Sequence, residues 1–425
     1  MPSEPFAEYN APERYRWTIG LLLGLGVLVN YFDRVNLSVS HEALVQSFGI
    51  TPAVFGQLSA AYSWTYAACQ LPTGVVLDAL GVRKVSLASI AIWGIASLAA
   101  AFAPGVVLFF AARLLLGIGE APTFPANAKA VGAWFPASER SLATSIFDSA
   151  AKFANAIGVP LLGLLLLQVG WRWSFGFTAM LSFGYLALFA WLYREPHRFS
   201  MRNVVVEQVA QGDPQTSLAP PIPMGKLLRN RRVLGLAIGA GSYNYVFYLL
   251  LTWLPTYLSQ TLHISLRDSF LFTSFPWLVA GCAGLLIGGV LVDVLVKAGK
   301  PGARRVVLLV GTACGLALVG AAFAHSTLSA LVPISIAIGG LSAASPVMWS
   351  LPSLLVPNSS TGKVGGIMNF SNQISAIAAP ILTGYVVQAT GHFFWAFVLA
   401  AVYVVLGVLS YAFLLGPIRP LQIRD

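Results

Sequence analysis

Charge is scarce in this chain: only 9% of its 425 residues are Asp, Glu, Lys or Arg, against about 25% in an ordinary soluble domain. So little charge cannot cover a water-soluble globule of this size, which sets aside a soluble enzyme and a disordered chain alike. Cysteine is nearly absent, with three residues, so a disulfide scaffold is excluded. The ten-residue alternating segments of a strand barrel are missing. So are nucleophile–base strings, clustered metal ligands and phosphate-binding loops, and neither catalysis, cofactor nor metal is expected. What the chain does have is apolar sequence. Hydrophobic residues make up 57% of it, in runs of about 20, the length that crosses a hydrocarbon core about 30 Å thick. The expected class is an all-α polytopic membrane protein.

On that ruler twelve spans fall near residues 17–39, 54–79, 85–103, 106–135, 140–168, 173–193, 233–258, 269–296, 304–324, 328–352, 362–387 and 391–415. The one long polar stretch, 194–232, carries Pro220, Pro221 and Pro223 and reads as a linker. The expected organisation is therefore a six-helix bundle over 1–193, a linker over 194–232, and a second six-helix bundle over 233–425. The first apolar run is of full span length and follows Arg14 and Arg16, so a cleavable signal peptide is not expected.

The net charge of +10 could suggest a nucleic-acid partner, but its distribution points elsewhere. With both termini placed in the cytoplasm, nineteen Lys and Arg fall in inner loops and tails, and only Arg172 and Arg267 fall outside. That asymmetry is the positive-inside signature. It accounts for the basic balance through the bilayer, without nucleic acid. His263, His325 and His392 fall near outer loops, while Cys69, Cys282 and Cys314 fall in spans, where inert buried thiols are the rule.

The two halves echo one another. Gly74-x-x-x-Asp78-x-x-Gly81-x-Arg83-Lys84 closes the second span, and Gly289-x-x-x-Asp293 with Arg304-Arg305 closes the eighth. An acid at a helix end facing the bases of the next loop can clamp the inner face. Repetition at equivalent places suggests an internal repeat, the architecture of rocking transporters.

Six ionisable groups remain at membrane depth: Asp33, Arg34, Arg113, Glu120, Asp148 and Lys152, with Lys129 nearer an end. Each costs at least ~2.5–3.5 kcal/mol at the centre of a lone helix, so each is expected to line a cavity or find a partner. Arg113 and Glu120 stand seven residues apart, on one helix face and about 10.5 Å apart along the axis. A guanidinium is a permanent clamp for a carboxylate. A buried carboxylate is pulled two ways, toward neutrality by desolvation and toward charge by a nearby cation. An inert ion pair tying helices together is the alternative. Asp33 and Arg34 are adjacent and point about 100° apart, so one faces the cavity and the other a neighbouring helix. Tyr31, Tyr62 and Tyr66 are their natural neighbours, with wall tiling or plain aromatic packing both open. Asp148 and Lys152 stand i,i+4 in the favourable order, either as a self-satisfied pair or with Lys152 offering a second cation to substrate. In the second half the polar candidates are Asn244, Ser345 and Trp349, and a stripe of Asn369, Asn372 and Gln373.

These strings resemble a known family. The loop motif and 6+6 layout look like the major facilitator superfamily. Tyr31-Phe32-Asp33-Arg34-Val35-Asn36-Leu37, Arg113-x-x-x-Gly117-x-Gly119-Glu120, Trp134-Phe135-Pro136-x-x-Glu139-Arg140, Gly170-Trp171-Arg172-Trp173 and Trp253-Leu254-Pro255-Thr256-Tyr257 are similar to its anion:cation symporter branch, over roughly 15–415. The resemblance implies a proton-coupled importer of a small organic anion such as a sugar acid. Such a protein would be a monomer in the bacterial inner membrane, working by alternating access. It implies substrate contacts from Arg113, Asn369 and Asn372, and substrate binding or gating by Arg34; Tyr31, Tyr66, Ser345, Trp349 and Lys152 are further substrate-binding candidates from the residues themselves. It implies proton coupling by Asp33 and Glu120, and a cytoplasmic gating motif of Gly74, Asp78, Arg83, Lys84 and Asp293. Span five departs from the branch, since several sugar-acid carriers place a neutral Gln near Ala151, where this chain has Asp148 and Lys152. An exporter or exchanger of organic acids is the alternative, and a transporter-like sensor a more distant one.

Overall fold

In a computed structural model the described residues are 13–135, 137–195, 222–300 and 302–421. The side chains at 13, 71, 78, 137–142, 144, 145, 358 and 359 lie outside that description. So does 196–221, most of the expected linker, together with the Asp78 side chain of the loop motif.

Twelve membrane-length helical units follow one another. They are α1 (Glu13–Val39), α2 (Pro52–Leu80), α3 (Val82–Ala101), α4 (Val106–Trp134), α5 (Ala137–Val169), α6 (Trp171–Leu192), α7 (Arg231–Thr261), α8 (Leu266–Lys297), α9 (Ala303–Ala321), α10 (Thr327–Leu355), α11 (Asn358–Thr390) and α12 (Phe394–Leu415). Ten are apolar and long enough to cross a bilayer among the described residues. The other two, α2 and α11, have 29 and 33 residues. The twelve expected spans are all present.

Exposed Leu, Val, Ile and Phe ring the outside, as on α8 and α12, where a bilayer rather than water is the solvent. Within the first half α1 packs on α5, α3 on α6 and α4 on both α2 and α3. In the second, α7 packs on α11 and α10 on α8 and α9. Between halves the contacts run α2 to α11 and α5 to α8.

The halves close on each other at one end. At the sealed end a Cβ on Gly56 would stand 2.4 Å from the Pro380 carbonyl oxygen, and one on Gly384 would stand equally close to that of Pro52. Only glycine lets α2 and α11 approach so closely. Ser38 Oγ donates to the Thr252 carbonyl at 2.9 Å, and Gln57 Nε2 donates to the Tyr385 hydroxyl at 3.0 Å. A short helix after α1, His41–Phe48, adds the Ser259–Glu42 hydrogen bond at 2.8 Å. At the end that carries the basic loops, a Cβ on Gly74, Gly362, Gly365 or Gly366 would meet no atom within 4 Å. These glycines have open space beside them, unlike those at the sealed end.

Candidate functional site

The local structure of α4 places the site. Pro122 lacks an N–H and cannot donate to the carbonyl four residues back. The helix accordingly breaks at Ala121–Pro122, between Val106–Glu120 and Thr123–Trp134. Glu120 is the last residue before the break. Two glycines carry α4 into the bundle: a Cβ on Gly117 would stand 2.2 Å from the Tyr62 carbonyl oxygen of α2, and one on Gly119 would stand 2.7 Å from the Trp93 nitrogen of α3. That close approach buries Glu120 and Arg113 against α1.

There Glu120 meets Arg34. Arg34 Nε donates to Glu120 Oε2 at 2.9 Å, and its Nη2 donates to Asn30 Oδ1, one turn back on α1, at 3.1 Å. The guanidinium carbon lies 4.3, 4.6 and 5.6 Å from the ring centroids of Tyr31, Tyr62 and Tyr66. The cation is thus held in an aromatic cage, and such contacts strengthen where water is excluded. The other Glu120 oxygen, Oε1, is buried without a hydrogen-bond partner.

Arg113 stands beside this pair. Its Nη1 donates to the Asp33 carbonyl at 3.4 Å, its Nε has no partner, and it lies 5.8 Å from the Tyr62 ring. Arg113 and Glu120 of α4 therefore reach adjacent residues of α1, and Glu120 pairs with Arg34 across helices. Asp33 points away, toward α3 and α6. It accepts from Ser97 Oγ at 2.6 Å with the Thr178 and Ser182 hydroxyls nearby, while its Oδ2 is unpartnered. The 100° divergence expected of Asp33 and Arg34 is what separates these two environments.

Beneath the sealed end lies a small cavity of about 20 Å³ lined by Arg34, Arg113, Tyr62 and Ser59 of the first half and Tyr248 and Thr252 of α7.

Lys152 Nζ pairs with Asp148 Oδ2 at 2.6 Å, the lysine buried and the aspartate half-exposed. Tyr31 and Tyr243 lie within electrostatic reach of the ammonium. Ser345 is buried beside the Tyr243 phenol, and Trp349 is half-exposed. Asn372 accepts through its carbonyl from Asn244 Nδ2 at 2.6 Å, leaving its own Oδ1 unpartnered, as is Gln373 Oε1. Asn369 is half-buried.

In the loop motif the basic residue reaches the end of the neighbouring helix, while the Asp78 side chain of the expected clamp lies outside the described residues. Arg83 donates through Nε and Nη2 to the carbonyls of Tyr193 and Ala190 at the end of α6, at 3.0 and 2.9 Å. Its backbone N–H donates to Glu195. In the second half Arg305 donates to the Ala412 carbonyl near the end of α12 at 3.4 Å. Each cation serves unfilled carbonyls at a helix C-terminus. Lys84 and Asp293 are exposed, and Asp293 has no partner among the described residues.

Asn30 and Tyr248 were not singled out from sequence. Asn30 had a legible signal, its i,i+4 spacing to Arg34. Tyr248 had none, since only the packing of α7 against α1 brings it to the cavity.

Residues 23–380 match the family model described as Major Facilitator Superfamily. An uncharacterised transporter of Bacillus subtilis, YybO, is 37% identical over 97% of both chains. The probable galactarate/D-glucarate transporter GudP of the same organism is 31% identical, covering 96% of this chain and 94% of its own. A D-galactonate transporter of Escherichia coli O6:H1 is 29% identical over 96% and 97%. Among solved structures, a bacterial homologue of the human lysosomal transporter Spinster in an inward-facing, occupied conformation superposes with a TM-score of 0.77. It shares 18% identity, with 95% of this chain and 97% of that one covered. A D-xylose–proton symporter gives 0.72 at 19% identity, over 96% and 98%.

Proposed function

The chain belongs to the major facilitator superfamily, whose members here are membrane transporters and not enzymes, and on that premise we propose that it imports a small sugar-acid anion together with protons. The observation that carries the reading is the Arg34–Glu120 pair in its tyrosine cage, beside Arg113 with an unpartnered Nε. Glu120 occupies the guanidinium that an incoming carboxylate would use. Protonation neutralises Glu120, releases Arg34, and leaves two guanidiniums facing one cavity, a forked geometry suited to a carboxylate. Proton and anion then favour each other's binding. Asp33, with its own unpartnered oxygen, is the second protonation site in this reading. The names of the aldarate and galactonate relatives support a sugar acid as cargo.

The two bundles, 1–193 and 233–425, rock about the site, joined by the 194–232 linker. A single chain suffices, in the bacterial inner membrane with both termini and the basic loops in the cytoplasm. Ser345, Asn369, Asn372 and Trp349 of α10 and α11 complete the substrate wall from the second half. Lys152 is the candidate to meet a second carboxylate, its ammonium lying within electrostatic reach of Tyr31, which also cages Arg34. Galactarate, with two carboxylates, should then lose more than galactonate when Lys152 becomes Gln.

The direct test is transport by purified protein in liposomes. An inward proton gradient should drive uptake of labelled galactarate or galactonate, and Glu120→Gln should keep exchange while losing accumulation against a gradient. Accumulation by Glu120→Gln equal to wild type would refute the coupling scheme.

A further inference from the structure

Cations gather a second time, away from the transport site. α7 begins at Arg231, capped by Asn230, whose side-chain oxygen accepts from the Arg232 N–H at 3.0 Å. Beyond α12 the chain turns at Gly416, where φ is +66°, and runs back across this helix start. Arg232 Nη1 donates to the Arg419 carbonyl at 3.0 Å, and the Leu421 N–H donates to the Leu355 carbonyl at the end of α10 at 2.7 Å. Between tail and helix start lies a cavity of about 320 Å³ lined by Asn230, Arg231, Arg232, Arg419, Pro420 and Leu421.

No carboxylate is among those lining residues. Arg231 and Arg419 are exposed, and both repel the Arg232 guanidinium. Neither side chain has an ion-pair or hydrogen-bond partner among the described residues. Three guanidiniums are thus held together against their own repulsion, at the N-terminal end of a 31-residue helix. An anion with several oxygens relieves that arrangement, and a tetrahedral phosphate can accept from all three forks.

The depth of the pocket names the source of the phosphate. Gly235, one turn into α7, packs against Leu414 and Leu415, and Phe413 and Leu414 are exposed. The pocket therefore lies where the apolar outer surface of α7 and α12 gives out. Just before it, the short helix Met224–Arg229 exposes Met224 and Leu228 beside Lys226 and Arg229, the mixed composition of a headgroup-level segment. We propose that this pocket binds the phosphate of an anionic phospholipid. The site is independent of the transport chemistry, and its test does not involve the transported anion.

The test measures thermal unfolding of the full chain in phosphatidylcholine nanodiscs as phosphatidylglycerol replaces part of the lipid, with native mass spectrometry counting retained phosphatidylglycerol. The melting temperature should rise with phosphatidylglycerol, and one lipid should stay bound. The paired substitution Arg231→Gln, Arg419→Gln should remove the rise and weaken retention about 30-fold, the expected effect of two interfacial cations. Arg231→Lys with Arg419→Lys keeps the charge and should retain most of the effect, which separates binding from misfolding. An equal response of wild type and the Gln pair would overturn the proposal, as would phosphatidylcholine retained as strongly. Inorganic phosphate reproducing the full rise in the wild type would overturn the lipid as its source.

Discussion

His41 shows what a single side chain reports about the sealed end. It is 3% exposed, packed edge-on to Phe55 and Trp253 with ring centroids at 4.4 and 5.3 Å, and neither ring nitrogen has a partner. Burial alone pushes its pKa down to about 4, from about 6.5 in an unfolded chain. Between these values the unfolded chain binds a proton that the folded one refuses, so stability rises with pH across the window. The full contribution is present above about pH 6.5 and is lost as pH falls toward 4, on the order of 3 kcal/mol in all. The melting temperature in detergent should therefore drop between pH 7 and pH 5. His41→Phe, which keeps the ring packing, should flatten that drop. A His41→Phe profile as steep as wild type would assign the acid sensitivity to other groups.

At the scale of the helix, the sealed end depends on close backbone approach. Gly56→Val would place side-chain atoms against the Pro380 carbonyl, and Gly384→Val against that of Pro52. Overpacking of this kind costs about 1–3 kcal/mol. The strain exists only while α2 and α11 are in contact, so it shifts the population toward the opposite opening by roughly 5- to 150-fold. Ser59→Cys, lining the cavity under the seal, should react faster with an impermeant maleimide from the sealed side once Gly56 is Val, in a background without the three native cysteines. An unchanged labelling rate would mean that other contacts hold the seal. All twelve helices could be read from hydropathy, because a bilayer allows few alternatives. The helix His41–Phe48 could not, being too short for that ruler. The divergence of Asp33 and Arg34 follows from helix geometry, and the candidate cations and acids stood out as charges in apolar runs. Which pairs with which did not: spacing set Glu120 on the face of Arg113, whereas the crossing of α1 and α4 hands it to Arg34. In the loop motif, too, spacing did not announce that Arg83 serves the carbonyl end of α6, a partner more than 100 residues away.

For the whole molecule, the cavity joins the halves where the charge pair does not. Arg34 and Glu120 both belong to the first half, while Tyr248 and Thr252 reach the same space from the second. An anion released onto Arg34 would touch both halves, which is how occupancy could bias their rocking. If protonation of Glu120 is the step that frees Arg34, then by linkage anion binding must draw a proton in. Affinity should rise as pH falls, by up to about tenfold per unit while Glu120 titrates. Calorimetry of galactarate binding in two buffers of different ionisation enthalpy should report close to one proton taken up per anion. In Glu120→Gln the uptake should vanish and the affinity should become nearly independent of pH, since the amide cannot hold the guanidinium as a carboxylate does. Proton uptake that persists in Glu120→Gln would transfer the coupling to Asp33. An affinity that is flat with pH in the wild type would leave the Arg34–Glu120 pair as a structural tie between α1 and α4.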